Sequence, residues 1–167
     1  MLPRSTYGSS LRTVIDPDGW QRLRRAAGRT TGGACAWCGE LNLASGWRTW
    51  ETHEVWTFDL ATKRQTLEAV VPLCRTCHLT QHLGYARREG LEGEVVARSM
   101  SLNGWSHHEA GRAIAAAEHL ASVRGRTAWD LDLTRWGEHI VLPDWPELFI
   151  PAAARRAAVV RAITGTP

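Results

Sequence analysis

The sequence predicts an α+β protein in which a cysteine-clamped strand–strand–helix core precedes a helical extension. Three observations predict this fold: two Cys-x-x-Cys pairs, two β-rich segments between them, and helical spacing of apolar residues after the second pair. With 167 residues, 44% of them apolar, the chain is long enough for one core and an appendage. We divide it into a basic arm with a short helix at 1–29, the core at 30–90, and the extension at 91–167.

All four cysteines of the chain lie in the two pairs, Cys35/Cys38 and Cys74/Cys77. In a cytosolic protein such pairs are far more often metal ligands than disulfides. Gly39 follows the first pair and allows the backbone to turn so that amides face the sulfurs. Four thiolates suit tetrahedral Zn²⁺, so the pairs predict a structural zinc site that clamps the core.

The first 33 residues contain one predicted helix. Residues 1–15 are expected to form a loose arm, and the Asp-Pro-Asp-Gly run at 16–19 a turn. A short basic helix is expected at 20–29, and the Thr-Thr-Gly-Gly run at 30–33 ends it.

Two strands joined by a hairpin form the predicted sheet. Residues 47–56 alternate large and polar side chains and are rich in Trp, Thr and Val, which indicates a strand. The second strand is predicted at 65–73, with the hairpin connection at 59–64. Helical spacing then begins at Cys77 and continues to Arg88, so strand, strand and helix follow one another.

The remainder of the chain is predicted to be mostly helical. One helix is expected at 91–100, and an alanine-rich helix follows the capping box formed by Ser106 and Glu109. Residues 129–136 are expected to be extended or to form a short helix. Prolines disfavour a helix in the stretch that follows: Pro143, Pro146 and Pro151.

Three histidines of the first half are predicted to converge. His53 lies in the first strand, His78 directly follows the last cysteine, and His82 comes four residues later. Positions i and i+4 share one face of a helix, so His78 and His82 can hold one metal ion between them. The hairpin would carry His53 towards the same helix. The three side chains therefore predict a second site beside the cysteines.

The cysteine and histidine pattern resembles that of the HNH endonucleases (the His-Me finger or ββα-metal family), and in particular small bacterial members with a four-cysteine zinc site. The residues that carry the resemblance are Cys35-x-x-Cys38-Gly39, His53 and Leu73-Cys74-x-x-Cys77-His78-x-x-x-His82. They cover about residues 35–85, roughly a third of the chain. The resemblance implies a zinc-clamped ββα core.

The resemblance also implies metal-dependent hydrolysis of phosphodiester bonds in nucleic acid, with DNA favoured over RNA. His53 would be the general base that deprotonates the attacking water. His78 and His82 would hold one divalent ion, either Mg²⁺, Mn²⁺, Ni²⁺ or Zn²⁺. Flanking arginines would contact the phosphate backbone: Arg75, Arg87 and Arg88.

Two positions depart from the family pattern. Thr52 stands where active members usually carry an Asp or His ligand, and no Asn lies between His53 and His78. Glu54 is a candidate to replace the missing ligand, because it shares a strand face with Thr52, whereas Glu51 shares the face of His53 and is a candidate to orient its imidazole. A site without a carboxylate suits Zn²⁺, Ni²⁺ or Mn²⁺ better than Mg²⁺.

These departures leave two alternatives open. One is a three-histidine zinc enzyme acting on a small molecule, with Glu54 as acid/base. The other is a non-catalytic, zinc-stabilised module that binds nucleic acid or protein.

Charge is unevenly distributed along the chain. Six arginines and two aspartates give residues 1–34 a net charge of +4, and three arginines give residues 151–167 a net charge of +3. The segment 35–150 carries a net charge of −4, which counts against a nuclease. A nucleic-acid partner is therefore expected to contact the basic ends.

The sequence indicates neither a membrane span nor a secretory signal. No stretch approaches the ~20 apolar residues that span a bilayer, and the first residues form no apolar signal region. The expected compartment is the cytoplasm, and the Trp- and Pro-rich C-terminal half is a candidate dimer surface. Four tryptophans near the cysteines and the hairpin are expected to fill the core rather than to stack on bases: Trp37, Trp47, Trp50 and Trp56.

Overall fold

The computed structural model describes residues 11–41 and 50–157, which form a mixed α+β protein. The sheet has four strands in the order β1-β2-β3-β4. The elements are α1 (Leu11–Val14), α2 (Pro17–Thr30), β1 (Glu51–Asp59), β2 (Arg64–Leu73), α3 (Arg75–Leu79), α4 (Leu83–Arg88), α5 (Glu92–Asn103), α6 (His107–Arg124), β3 (Asp130–Asp132) and β4 (Phe149–Ile150). In addition, Thr134–Trp136 forms a 3₁₀ turn and residues 152–157 are helical. The predicted α+β class is confirmed.

The described residues divide into two compact units. The cysteine unit comprises residues 24–41, 50–53 and 70–121, and the sheet unit comprises residues 11–23, 54–69 and 122–157. The predicted division of the sequence into 1–29, 30–90 and 91–167 rests on sequence patterns, whereas these units are defined by contacts between residues, so that division stays a prediction.

The first two helices differ from the predicted arm and turn. Leu11–Val14 is helical and Leu11 is buried, so the prediction of a loose arm is wrong for these residues. Residues 1–10 lie outside the described residues. α2 begins at Pro17 because the Asp16 carboxylate accepts a backbone N–H three residues on, at 2.7 Å, and because proline already has the φ of a first helical residue.

The two predicted strands and their connection are confirmed. β1 starts at Glu51 and continues to Asp59, three residues beyond the predicted end, while residues 47–49 lie outside the described residues. Asp59 closes the turn by accepting the N–H groups of Ala61 and Thr62. β2 pairs in parallel with β3, and β3 pairs antiparallel with β4, which the sequence had not predicted.

The prediction of a continuous helix at 77–88 is wrong. The chain forms two short helices there, α3 and α4. Between them the Thr80 hydroxyl donates to the Cys77 carbonyl oxygen at 2.8 Å, and the His82 N–H bonds three residues back, so the chain turns more tightly than an α-helix. His78 therefore lies in α3, whereas His82 precedes α4.

The two long helices of the extension match their predictions. α5 ends at Gly104, whose φ of +67° suits a helix C-terminus. The Ser106 N–H donates to Glu109 Oε2 at 2.8 Å, and the Glu109 N–H donates to Ser106 Oγ at 3.3 Å. This reciprocal pair is the predicted capping box at the start of α6.

The core of the cysteine unit contains two clusters of buried side chains. The first surrounds the sulfurs, and its members are Cys35, Trp50, Leu73, Cys74 and Cys77. The second joins α3, α4 and α5, and its members are Leu79, Leu83, Ala86 and Val95. The core position predicted for Trp50 is confirmed, and its Nε1–H donates to the Gly33 carbonyl oxygen at 2.8 Å.

Candidate metal centres

The four cysteines meet in the cysteine unit. Their Sγ atoms all lie within 4.8 Å of one another, and no disulfide joins them. Cys38 Sγ is 3.9 Å from Cys74 Sγ. This separation is close to the ~3.8 Å expected between sulfurs on a tetrahedral ion with Zn–S bonds of ~2.3 Å. The cluster therefore has the donors and the spacing that a structural zinc ion needs.

Local backbone geometry sets the position of both cysteine pairs. At the first pair, the Cys35 N–H donates to the Glu40 carbonyl oxygen at 2.8 Å, and the Gly39 N–H donates to the Cys35 carbonyl oxygen at 3.0 Å. Gly39 has a φ of +72°, which an L side chain rarely adopts, so the glycine predicted to permit this turn does so. The second pair spans the start of α3, where the His78 N–H donates to the Cys74 carbonyl oxygen.

Backbone amides favour one thiolate of the cluster. Burial alone raises the pKa of the Cys35 thiol, but the backbone N–H groups of Cys38, Cys74 and Trp37 offset this and lower the pKa to about 7. Burial raises the pKa of Cys77. Because a bound cation favours thiolates over thiols, zinc would displace the remaining protons.

Arg98 contacts two of the sulfurs, and no pattern in the sequence predicted this contact. From α5, its Nε–H donates to Cys77 Sγ at 3.2 Å and its Nη2–H donates to Cys74 Sγ at 3.4 Å. These bonds raise the pKa of the guanidinium above its usual value. Arg98 Nη2 also lies 3.7 Å from Glu40 Oε2. A four-thiolate zinc site carries excess negative charge, so this guanidinium would stabilise it.

Replacement of Arg98 by methionine is expected to speed the release of zinc to a chelator by about tenfold, since hydrogen bonds to charged groups contribute ~1.5–3 kcal/mol. Chelator absorbance measures the release. The matched control is Arg112→Met, which removes an exposed arginine of the same unit. Equal release rates for Arg98→Met and the wild type would contradict the assigned role.

Three histidines form a second cluster in the cysteine unit. One nitrogen from each of His53, His78 and His82 lies within 4.8 Å of the others. His78 Nε2 is 3.0 Å from His82 Nε2, and the ring centre of His53 is 5.3 Å from that of His78 and 5.5 Å from that of His82. The predicted convergence is thus present, although the shared helix face is not, because the turn before α4 brings His82 back towards α3.

Burial keeps the three imidazoles neutral. It lowers the pKa of His53 to about 3 and that of His82 to about 4, with further lowering from the neighbouring imidazoles. Burial also lowers the pKa of His78, against the opposing charge of Glu51. A neutral imidazole has a nitrogen lone pair available for a metal ion. Among the described residues, no carboxylate belongs to this group.

The side chains of Glu54 and Thr52 are hydrogen-bonded elsewhere. In the sheet unit, Glu54 Oε1 accepts the Leu11 N–H at 3.0 Å and Glu54 Oε2 accepts the Trp56 Nε1–H at 3.0 Å. Burial raises the pKa of this carboxyl group. Thr52 Oγ1 accepts the Arg24 Nε–H at 3.2 Å. Both oxygens of Glu54 thus have structural partners, and its assignment as a catalytic residue stays a prediction.

The three arginines predicted to contact nucleic acid have different surroundings. Arg87 forms ion pairs with Glu92 and Glu118, and Arg88 pairs with Glu89 at 3.2 Å. Arg75 is exposed at the start of α3 and has no ion pair with any described residue. The geometry therefore leaves Arg75 as the most available of the three.

Trp37 differs from the core position predicted for it. The turn between the first two cysteines leaves this side chain 37% exposed, so the prediction of core packing is wrong at this position. Its ring meets the His53 ring edge to face, at 6.2 Å between centres. An exposed indole thus lies against the histidine cluster.

In residues 11–41 and 50–157, no helix has the length and apolar character to cross a membrane. No family model, curated protein or solved structure matches this chain. The geometry of the two clusters is therefore the basis for a functional proposal.

Proposed function

We propose that this chain is a metal-dependent endonuclease of the HNH type that hydrolyses phosphodiester bonds, with DNA as the favoured substrate. The observation that carries the proposal is the convergence of His53, His78 and His82 in the same unit as the four-cysteine cluster. A strand supplies His53, and the segment after the hairpin supplies the other two histidines, the order of a ββα nuclease core.

The cysteines would have a structural role and the histidines a catalytic one. In this proposal the four cysteines hold a structural zinc ion that fixes both ends of the active segment. His78 and His82 bind a second divalent ion, which supplies positive charge against the charge that develops on the phosphate. The proton of the attacking water is assigned to His53, whose imidazole is neutral and so able to accept it; because burial lowers the pKa of His53 to about 3, it is a weaker base than a free imidazole. The absence of a carboxylate among the described donors favours Mn²⁺, Ni²⁺ or Zn²⁺ over Mg²⁺.

A second candidate function is a three-histidine zinc enzyme that acts on a small molecule. The specific observation in its favour is that the His53 nitrogen lies within 4.8 Å of the other two, as three ligands of one ion do. Glu54 is poorly placed to act as the acid/base of this enzyme, because both of its oxygens accept hydrogen bonds from other groups. Glu51 is the carboxylate whose charge acts on His78 and His82.

A supercoiled-plasmid nicking assay tests the nuclease proposal. Purified, zinc-loaded protein is expected to convert supercoiled DNA to open circles with Mn²⁺, Ni²⁺ or Zn²⁺, and more slowly with Mg²⁺, because nitrogen donors bind Mg²⁺ weakly. Parallel reactions with a labelled RNA measure the preference for DNA.

The control for this assay is the same protein with the second divalent ion omitted, which should cut neither substrate. Absence of cleavage of DNA and RNA with every metal, in folded protein that carries one zinc ion, would overturn the nuclease proposal. Hydrolysis of small esters by that protein would then favour the three-histidine enzyme.

A further inference from the structure

Trp37 is an exposed aromatic side chain at the edge of the histidine cluster. It lies between Cys35 and Cys38, and its ring stands at 69° to that of His53, 6.2 Å away. With 37% of its surface exposed, the indole is only partly covered by the protein. Tryptophan buries ~150–250 Å² when fully covered, so a planar ligand on its free surface would remove substantial apolar area from water.

The turn that carries Trp37 is held from both sides. The Cys35 and Gly39 N–H groups donate backbone hydrogen bonds within it, and the Ala36 N–H donates to the Pro72 carbonyl oxygen at 2.9 Å. The cysteines on either side belong to the candidate zinc site. Because the backbone of this turn is already fixed, a ligand that stacks on Trp37 does not have to order the main chain, which favours binding.

We propose that Trp37 is a stacking platform for one unpaired nucleobase next to the histidine cluster, so that single-stranded nucleic acid is the preferred substrate. This inference rests on the proposed nuclease function, because it assigns a substrate class to the same site. Any base can stack on an indole, and each such contact is worth ~1–3 kcal/mol in single-strand-binding proteins. A base inside a duplex has both faces covered by its neighbours and is not available for this contact.

The charges of the three arginines predicted to contact phosphate indicate that the nucleobase, and not the phosphate alone, would contribute to the binding affinity. Of the three arginines predicted to contact phosphate, two are neutralised by glutamates of their own chain, and Arg75 alone of the three has no ion pair with a described residue. Two of these three side chains are therefore less available for phosphate contacts, which limits the binding energy that this set can draw from the backbone. Stacking on Trp37 would then supply a larger share of the affinity.

Binding measurements on the full-length, zinc-loaded protein test this inference. Fluorescence anisotropy, without a second divalent ion so that no cleavage occurs, compares three probes of equal length: an oligothymidine, an abasic deoxyribose-phosphate oligomer, and an oligothymidine–oligoadenine duplex. The wild type is expected to bind the oligothymidine about tenfold more tightly than the abasic oligomer and the duplex. Trp37→Ala should bind all three with similar affinity, and Trp37→Phe, which keeps an aromatic face, should retain part of the preference.

Tyr85→Ala is the matched control, since Tyr85 is an exposed aromatic residue of the same unit whose ring contacts Arg88 rather than the three histidines. It should keep the wild-type preference. An unchanged preference in zinc-loaded Trp37→Ala, or a wild type that prefers the duplex or does not discriminate, would overturn the stacking role. If such a protein still nicks plasmid DNA, only this inference fails; if the wild type binds no probe and cuts no nucleic acid, both proposals fail.

Discussion

Replacement of His53 by alanine is expected to reduce phosphodiester hydrolysis at least about 100-fold while the structural zinc ion stays bound. Proton transfer by a positioned side chain contributes ~10²–10⁴-fold to a rate, and His53 is the histidine that the proposal assigns to this step. The rate is measured by plasmid nicking at saturating divalent metal. Zinc content is measured by mass spectrometry on the same preparation.

The matched control for His53→Ala is His119→Ala, which removes an exposed histidine of the same unit and should leave the rate unchanged. The affinity for the second ion then separates the two candidate roles of His53. A general base can be removed without loss of that ion, and added imidazole should restore part of the rate. A ligand cannot be removed in this way, so a large fall in affinity for the ion would favour the three-histidine centre. A wild-type rate in a zinc-loaded His53→Ala protein would contradict both roles.

Local pattern was sufficient to predict the hairpin and the convergence of the cysteines. Alternation of side chains, turn residues and the two cysteine pairs are short-range signals, because each depends on residues that lie close together in the sequence. The capping box of Ser106 and Glu109 is another such signal, because both partners lie within one turn of helix. The parts of the site built from these segments were therefore accessible from the sequence.

The remaining parts of the site depend on contacts that local pattern does not encode. The break between α3 and α4 depends on a hydroxyl of Thr80, a residue that continuous helices also accept. Arg98 is 21 positions from Cys77 and 24 positions from Cys74 in the sequence, and no short motif links it to either cysteine. Glu54 had the strand position of a catalytic residue, but its oxygens bind Trp56 and the distant backbone of Leu11.

The exposure of Trp37 is a fourth case of this kind. A tryptophan near a zinc site usually packs in the core, as Trp50 does. Trp37 lies inside the tight turn between two cysteines, where the backbone directs its side chain outwards. Residue type alone predicted burial, whereas the turn determined exposure.

Replacement of Cys74 by serine is expected to remove the structural zinc ion and to unfold the cysteine unit. Cys74 and Cys77 are 3% and 0% exposed, and they form the core cluster together with Trp50 and Leu73. Binding of a structural zinc ion contributes ~10–16 kcal/mol in zinc-finger peptides, whereas whole domains have a stability of ~5–15 kcal/mol. A unit whose core is assembled around the ion therefore has too little stability from other interactions to stay folded without it. Zinc content, circular dichroism and tryptophan fluorescence measure the effect.

Two controls separate the loss of the ion from the loss of a buried side chain. Cys38→His keeps a fourth zinc ligand at the half-buried position and should retain one zinc ion per chain with a modest decrease in Tm. Thr76→Ser alters the same segment as Cys74 without touching a sulfur and should behave as the wild type. Treatment of the wild type with a strong zinc chelator should reproduce the Cys74→Ser spectrum, because both remove the same ion. If Cys74→Ser instead keeps a full complement of zinc and the wild-type Tm, the four sulfurs do not form the clamp, and the histidine cluster must be held in place by apolar packing alone.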